Sequence, residues 1–384
     1  MKKLIIVDLQ SHSLGGHFKT WMNRTLCEAL DYFDSIALYI ADDYSRPSPS
    51  VLESCKKKVP TFLIPELYSG KRYVGDILSV ICKHAGKANS DLNRAPVFVM
   101  WAQQYLERDL IYPPLSSWNP LRRVSAFQKP WGSMTSISAI VFDPATAHPM
   151  EKAVHEMLQS NSCCRGVFLW DEFSAEKYPR KYIYLPNVEE TIADPTWRMP
   201  MDHPPQIGSV GQLWGYRSVN LLEQVLSSES GLKGYLGGVL MWHSSCVDYS
   251  AKASHMLKHP DASSLTLEEG FLEKDTELNE RLRKCDAFLI DGRTYKCPSG
   301  LGIRAMAMGR PLVSPDSPSW VSSLISKYGV GVFWKPEQKS LAADLRAWFD
   351  SGGPERAVEV AQKLNDYAGL KRSYVEMFDR LCSA

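Results

Sequence analysis

The chain has 384 residues, of which 44% are apolar and 23% charged. That is a globular composition on a chain long enough for two cores. Its 44 Lys and Arg balance 43 Asp and Glu, which argues against a sequence-independent nucleic-acid binder, and its nine cysteines lack the spacing of a disulfide framework or zinc finger, so they read as reduced thiols.

The first apolar run, Leu4 to Val7, is closed by Asp8. It is shorter than the roughly 7–15 residues of a secretory apolar region, and it predicts a buried strand over residues 3–9. No run of about 18 apolar residues follows, so the expected location is cytoplasmic. The basic groups Lys56 to Lys58, Lys71-Arg72 and Arg122-Arg123 have two readings, peripheral contact with an anionic membrane face or ordinary solvated surface. After a loop with Gly15 and Gly16, a helix is predicted from His17 to Phe33, with Phe18, Met22, Leu26, Ala29, Leu30 and Phe33 on its apolar face. Strands are predicted at 35–41, 61–67, 96–102, 138–143, 166–171 and 181–187, separated by helix-length segments. This alternation implies βαβ units and a parallel sheet.

Residues 186–206 hold five prolines and read as a linker. The alternation then restarts, with strands at 207–213, 233–240, 287–292, 310–315 and 329–334. Helices are predicted at Ser218–Ser227, Cys246–Leu257, Asp275–Arg283 and Gly302–Met308. A terminal helix over 367–384 carries Leu370, Tyr374, Met377, Phe378 and Leu381 on one face.

Four stretches carry a family resemblance. They are Gly15-Gly16 between the first strand and helix, KYIYLPNVEET (181–191), SVGQLWGYRSVNLLEQVL (209–226), and the run from Gly270 to Asp316 that ends in AMAMGRPLVSPD (305–316). In their order the chain resembles the GT-B class of glycosyltransferases and, within it, the large family 4. The resemblance implies an α/β chain of two Rossmann-like domains facing across a cleft. Residues 1–190 would be the acceptor-side domain and 207–366 the nucleotide-sugar-binding domain, with helix 367–384 crossing back to the first. It implies a metal-independent hexosyltransferase-like enzyme with no cofactor. The substrates would be a nucleotide-diphosphate sugar and a saccharide, lipid-linked or other acceptor. A sugar-nucleotide epimerase and a non-catalytic nucleotide-sugar-binding protein are the alternatives. Lys296 and Arg304 stand where the family places two glutamates around the donor loop, and Gln212 and Arg217 where it places an arginine and a lysine. The phosphate-binding charge is therefore rearranged in this chain.

The chemistry asks for anion-binding groups around a leaving diphosphate and for a proton acceptor. Ser299, Gly300 and Leu301 precede or open a predicted helix, whose first amides lack intrahelical partners and favour phosphate; the other reading is a simple loop and cap. Lys296, Arg304 and Arg217 could add positive charge. Phe271 either borders the nucleobase or belongs to the core. Gly15 and Gly16 either approach the donor or only turn the chain. His17, Asp171 and Glu172 are candidates for acid–base work, against the readings of surface histidine and helix cap. No residue pattern suggests a metal site.

Overall fold

A computed structural model of the protein describes residues 2–8, 17–41, 56, 58–64, 95–99, 137–141, 164–177, 179, 182–189, 191, 194, 197–199, 202–214, 219–229, 231–241, 265–270, 275–293, 298–337 and 340–383. The chain forms two units. The first comprises Met1–Pro186 together with Tyr367–Ala384, and the second Asn187–Asp366.

The first unit is built on β1 (Lys3–Asp8), β2 (Ser35–Ala41), β3 (Thr61–Ile64), β4 (Val97–Val99), β5 (Ile137–Val141), β6 (Cys164–Leu169) and β7 (Ile183–Tyr184). They pair in the order β3-β2-β1-β4-β5-β6-β7, every pair parallel. A parallel sheet covered on both faces demands continuous apolar runs. Leu4, Ile5, Ile6 and Val7 of the central strand are accordingly all fully buried. Helix α1 (His17–Tyr32) buries Met22, Leu26 and Ala29, with Phe33 just beyond it. Leu30, expected on the same face, is 44% exposed, because it lies about 100° around the helix from Ala29. The short α2 (Glu172–Lys177) follows β6.

The second unit runs β8 (Gln206–Trp214), α3 (Asn220–Ser228), β9 (Lys233–Met241), β10 (Leu265–Glu269), α4 (Asp275–Arg283), β11 (Ala287–Leu289), α5 (Gly300–Ala307), β12 (Leu312–Pro315), α6 (Trp320–Tyr328), β13 (Gly331–Trp334), α7 (Leu341–Asp350) and α8 (Gly353–Leu364). Its sheet has the order β10-β9-β8-β11-β12-β13, again all parallel. Relative to chain order this is 3-2-1-4-5-6, the doubly wound dinucleotide-binding arrangement. Strand β10 was not expected from the sequence. Its LTLEE buries only Leu265, as suits an edge strand with water on one side. The helix expected at Cys246–Leu257 lies outside the described residues.

The proline-rich stretch read as a linker clusters with the second unit from Asn187 onward, because two of its side chains are anchored there. Trp197 packs edge-on against Phe349, with ring centres 5.7 Å apart, and Met199 joins the core of Ile207, Leu213, Leu236 and Val313. Arg310 of the AMAMGRP segment, nearly fully buried, lies 4.2 Å from the centre of the Trp197 ring. It donates to the carbonyls of Cys285 and Met308 at 3.0 and 3.1 Å, and to Asp194 at 3.2 Å. Burial pushes its guanidinium pKa down to about 10 against the opposing pull of Asp194 and Asp286.

Helix α9 (Tyr367–Cys382) returns to the first unit. Leu370, Tyr374, Met377, Phe378 and Leu381 are buried. The hydroxyls of Tyr374 and Thr25 share a hydrogen bond of 2.7 Å, and Phe378 meets Phe33 edge-on at 5.0 Å. Tyr32 donates to Asp379, and Ser373 donates to the Tyr184 carbonyl at 2.9 Å.

Candidate functional site

In a doubly wound sheet all strand C-termini share one edge, and ligands bind where the strand order reverses. In the second unit that point lies between β8 and β11. Two glycines bend the strands beside it. Gly211 has φ +99 and Gly238 has φ +149, and they pair in register across β8 and β9. A Cβ on Gly238 would collide with the Gly211 carbonyl, so neither the dihedral nor the space admits a side chain there. The amide of Gly270, just past β10, donates to the Gly238 carbonyl at 2.9 Å, which extends the side-chain-free row to a third strand end. Leu301 of α5 lies over this bend; a Cβ on Gly211 would come within 2.9 Å of its Cδ1.

Helix α5 starts at this edge. Ser299 is its N-cap, with extended dihedrals, and its hydroxyl accepts the Gly302 amide at 3.2 Å. The amides of Gly300 and Leu301 stand one and two positions into the helix and have no intrahelical acceptor. They present partial positive charge at the switch point.

One turn further on, Arg304 is only 3% exposed. Its Nε and Nη2 donate to Glu189 Oε2 at 3.3 and 3.1 Å, and Nη2 lies 2.8 Å from Asp275 Oδ1 at the start of α4. Only Nη1 finds no hydrogen-bond partner among the described residues. Arg304 was expected to contact or screen a diphosphate. Its guanidinium is committed to two carboxylates beneath the α5 start. Glu189, 4% exposed, also seats its carboxylate against Gly300, where a Cβ would strike Oε1. Its main chain is clasped by Asn365, which accepts the Glu189 amide at 2.6 Å and donates to the Glu189 carbonyl at 2.8 Å. Sequence reasoning missed Glu189, Asp275 and Asn365, since the partners stand 115 and 176 residues apart in the chain. The only local signal was the Pro-Asn turn that Glu189 follows.

Two further polar groups border the switch point. Asp291, just past β11 and buried, takes the Arg293 amide and Nε on Oδ1 at 3.0 and 2.9 Å, and Arg293 Nη2 on Oδ2 at 3.0 Å. Gly292 donates to the Ser314 hydroxyl at 3.3 Å, and a Cβ there would meet the hydroxyls of Ser314, Ser317 and Ser319.

Of the expected site residues, Ser299, Gly300, Leu301 and Arg304 are gathered on α5, and Gln212 lies on the adjoining β8. The Gln212 side chain lies outside the described part, as do Gly15, Gly16, Arg217, Phe271 and Lys296. His17 opens α1 in the first unit, and its imidazole likewise lies outside the description. Asp171 and Glu172, also in the first unit, are both buried. Asp171 Oδ1 accepts the Phe173 amide at 3.0 Å and Oδ2 accepts the Ser174 hydroxyl at 2.7 Å. Oδ1 therefore caps α2 and Oδ2 is tied to its first turn, as the helix-cap reading expects.

No protein-family model and no curated protein sequence matches the chain. Solved structures do. HepE of Anabaena, solved in complex with UDP and glucose, superposes with a TM-score of 0.63 at 11% identity, over 99% of this chain and 100% of that one. Sucrose-phosphate synthase from Thermosynechococcus elongatus gives 0.61 at 12% identity, over 99% of each chain. A glycosyltransferase from Rickettsia africae gives 0.59 at 11% identity, over 100% of this chain and 99% of the other. At these identities the likeness establishes the fold, which is that of the GT-B glycosyltransferases, with two Rossmann-like units.

Proposed function

We propose that this chain is a glycosyltransferase of the family 4 type, which moves a sugar from a nucleoside-diphosphate donor to a saccharide or lipid-linked acceptor. The observation that carries the reading is the α5 start. Its outward amides and glycine-lined surroundings lie at the switch point of a 3-2-1-4-5-6 sheet. Such a start suits a diphosphate, because preorganised N–H donors stabilise the negative charge that grows on a leaving group. Lys296 and Arg217 would add charge, so that the leaving group needs no metal ion. The nucleoside would lie past the glycine strand ends near Gly270, where a Cβ would meet no described residue closer than 3.8 Å, with Phe271 at its border. In the transfer the bond between the anomeric carbon and the diphosphate oxygen breaks, and the acceptor oxygen bonds to that carbon. Its proton passes to a base, for which His17, Asp171 and Glu172 are the candidates. Uridine donors come first for testing, since the Anabaena neighbour was solved with UDP.

No helix among the described residues is long and apolar enough to cross a membrane. In this reading a lipid-linked acceptor would be met at a membrane surface, by an enzyme working at the cytoplasmic face.

Thermal unfolding with UDP, GDP, ADP and their sugars tests the proposal. A ligand at 100 times its Kd stabilises the native state by about 2.7 kcal/mol, and one diphosphate series is expected to raise Tm well above the others. Incubating the selected nucleotide sugar without acceptor separates the readings, because an epimerase would still convert it. If no nucleoside diphosphate shifts Tm, the assignment fails.

A further inference from the structure

We infer that Glu189 is a positioning residue for the donor diphosphate, acting as a strut that fixes the first turn of α5. This rests on the donor reading above. Each end of the strut is fastened. The main-chain end is held by Asn365, through both the amide and the carbonyl of Glu189 and, from Asn365 Nδ2, the Thr191 hydroxyl at 3.2 Å. At the side-chain end one carboxylate oxygen takes two hydrogen bonds from Arg304, and the other lies against the Cα of Gly300. Asn365 is itself tied to α8, since its amide donates to the Ala361 carbonyl at 2.9 Å. The frame is thus α8 and Asn365, the strut is Glu189, and the supported part is the turn that begins at Ser299.

Charge and burial make this arrangement demanding. A buried guanidinium must keep a partner, because an uncompensated charge in a low-dielectric interior is strongly unfavourable. Arg304 is therefore held between the Glu189 carboxylate and Asp275, and of the two only Glu189 is buried; α5 follows Arg304. The amides of Gly300 and Leu301 are aimed by the rotation of that turn, and N–H donors act on a phosphate only within a narrow range of distance and angle. Gly300 has a second reason to be glycine here. It supplies the floor on which the carboxylate rests, so the glycine and the glutamate are a matched pair. Glu189 itself need not touch the ligand.

The test compares two ligands in the full-length chain. UDP reads the α5 amides, whereas uridine lacks the diphosphate and does not. Glu189→Gln keeps shape and volume but removes the buried one of the two charges that hold Arg304, leaving the more exposed Asp275. It is expected to weaken UDP binding by about tenfold, the loss typical of a charge-assisted hydrogen bond, and to change uridine binding by less than about twofold. Arg304→Gln should reproduce the effect. The double variant Glu189→Gln/Arg304→Gln should be no weaker than the worse single, since paired residues act as a unit. Gly300→Ala should also weaken UDP binding, and Glu189→Ala in the same chain should restore part of it by vacating the space. All titrations are run well below each variant's Tm, so that lost stability does not register as lost affinity. If Glu189→Gln binds UDP as wild type does, the strut is refuted while the donor reading stands. Equal losses for UDP and uridine also refute it, because they indicate a general defect. Wild-type protein that binds no UDP overturns both.

Discussion

Asp171 shows how a side chain that is a candidate base in sequence can also carry an architectural role in space. An acidic pair at the end of a strand is more often a turn or helix cap than a base, and the local sequence alone does not separate the two. The two hydrogen bonds of Asp171, to the Phe173 amide and the Ser174 hydroxyl, give it the cap role. Asp171→Ala is expected to cost about 1 kcal/mol of stability, the usual value for a lost N-cap. Asp171→Asn retains one acceptor oxygen and should lose less. Urea unfolding of both variants measures this, and sugar-transfer assays of the asparagine variant complete the test. Turnover within a few-fold of wild type agrees with a cap alone, and its loss at unchanged stability would favour Asp171 as the base. Arg304 makes the complementary point. Its position beside a glycine-rich helix start was legible, but its partners Glu189 and Asp275 come from distant segments, and no local pattern announces a contact across 115 residues.

At the scale of elements, legibility followed burial. Strands covered on both faces, such as Leu4 to Val7, spell continuous apolar runs and were found where expected. Strand β10 is half wet and spells a mixed sequence, so it was not found. Helix α9 is the clearest success, because its one apolar stripe is long and strictly periodic, and every residue expected on it is buried. The energetics of that stripe can be tested. Phe378 meets Phe33 at 5.0 Å, Tyr32 at 5.2 Å and Tyr374 at 5.8 Å between ring centres. Phe378→Ala should therefore cost about 3–5 kcal/mol, the range for deleting a buried aromatic ring. Tyr374→Phe removes only the hydrogen bond to Thr25 and should cost about 1 kcal/mol. Both losses should fall on the unfolding transition of the first unit. Protection of β8 and β11 amides in hydrogen exchange reports on the second unit and should be unchanged. A matching loss there would mean that the two units do not unfold separately.

For the whole molecule, the useful question is where the second unit begins, because that decides which fragment can bind a nucleotide. From sequence, the proline-rich stretch suggests a start at residue 207, after a linker. The structure moves the start to Asn187, and the reason lies in two buried arginines. Arg304 depends on Glu189, and Arg310 depends on Asp194 and on the ring of Trp197. All three partners lie between residues 187 and 199. A fragment of residues 207–366 would keep both arginines and lose those partners, leaving Arg304 only the more exposed Asp275, and breaking a buried pair from one side costs up to about 3–5 kcal/mol. Two such losses approach the whole stability of an ordinary domain, about 5–15 kcal/mol. We expect residues 187–366 to give a cooperatively folding fragment that retains UDP binding, and residues 207–366 to be unfolded or nearly so at the same temperature. Circular dichroism melts of the two fragments, followed by UDP titration of whichever folds, make the comparison. Equal stability of both fragments would show that the segment before β8 is an ornament on the second unit and that the arginines are satisfied without it.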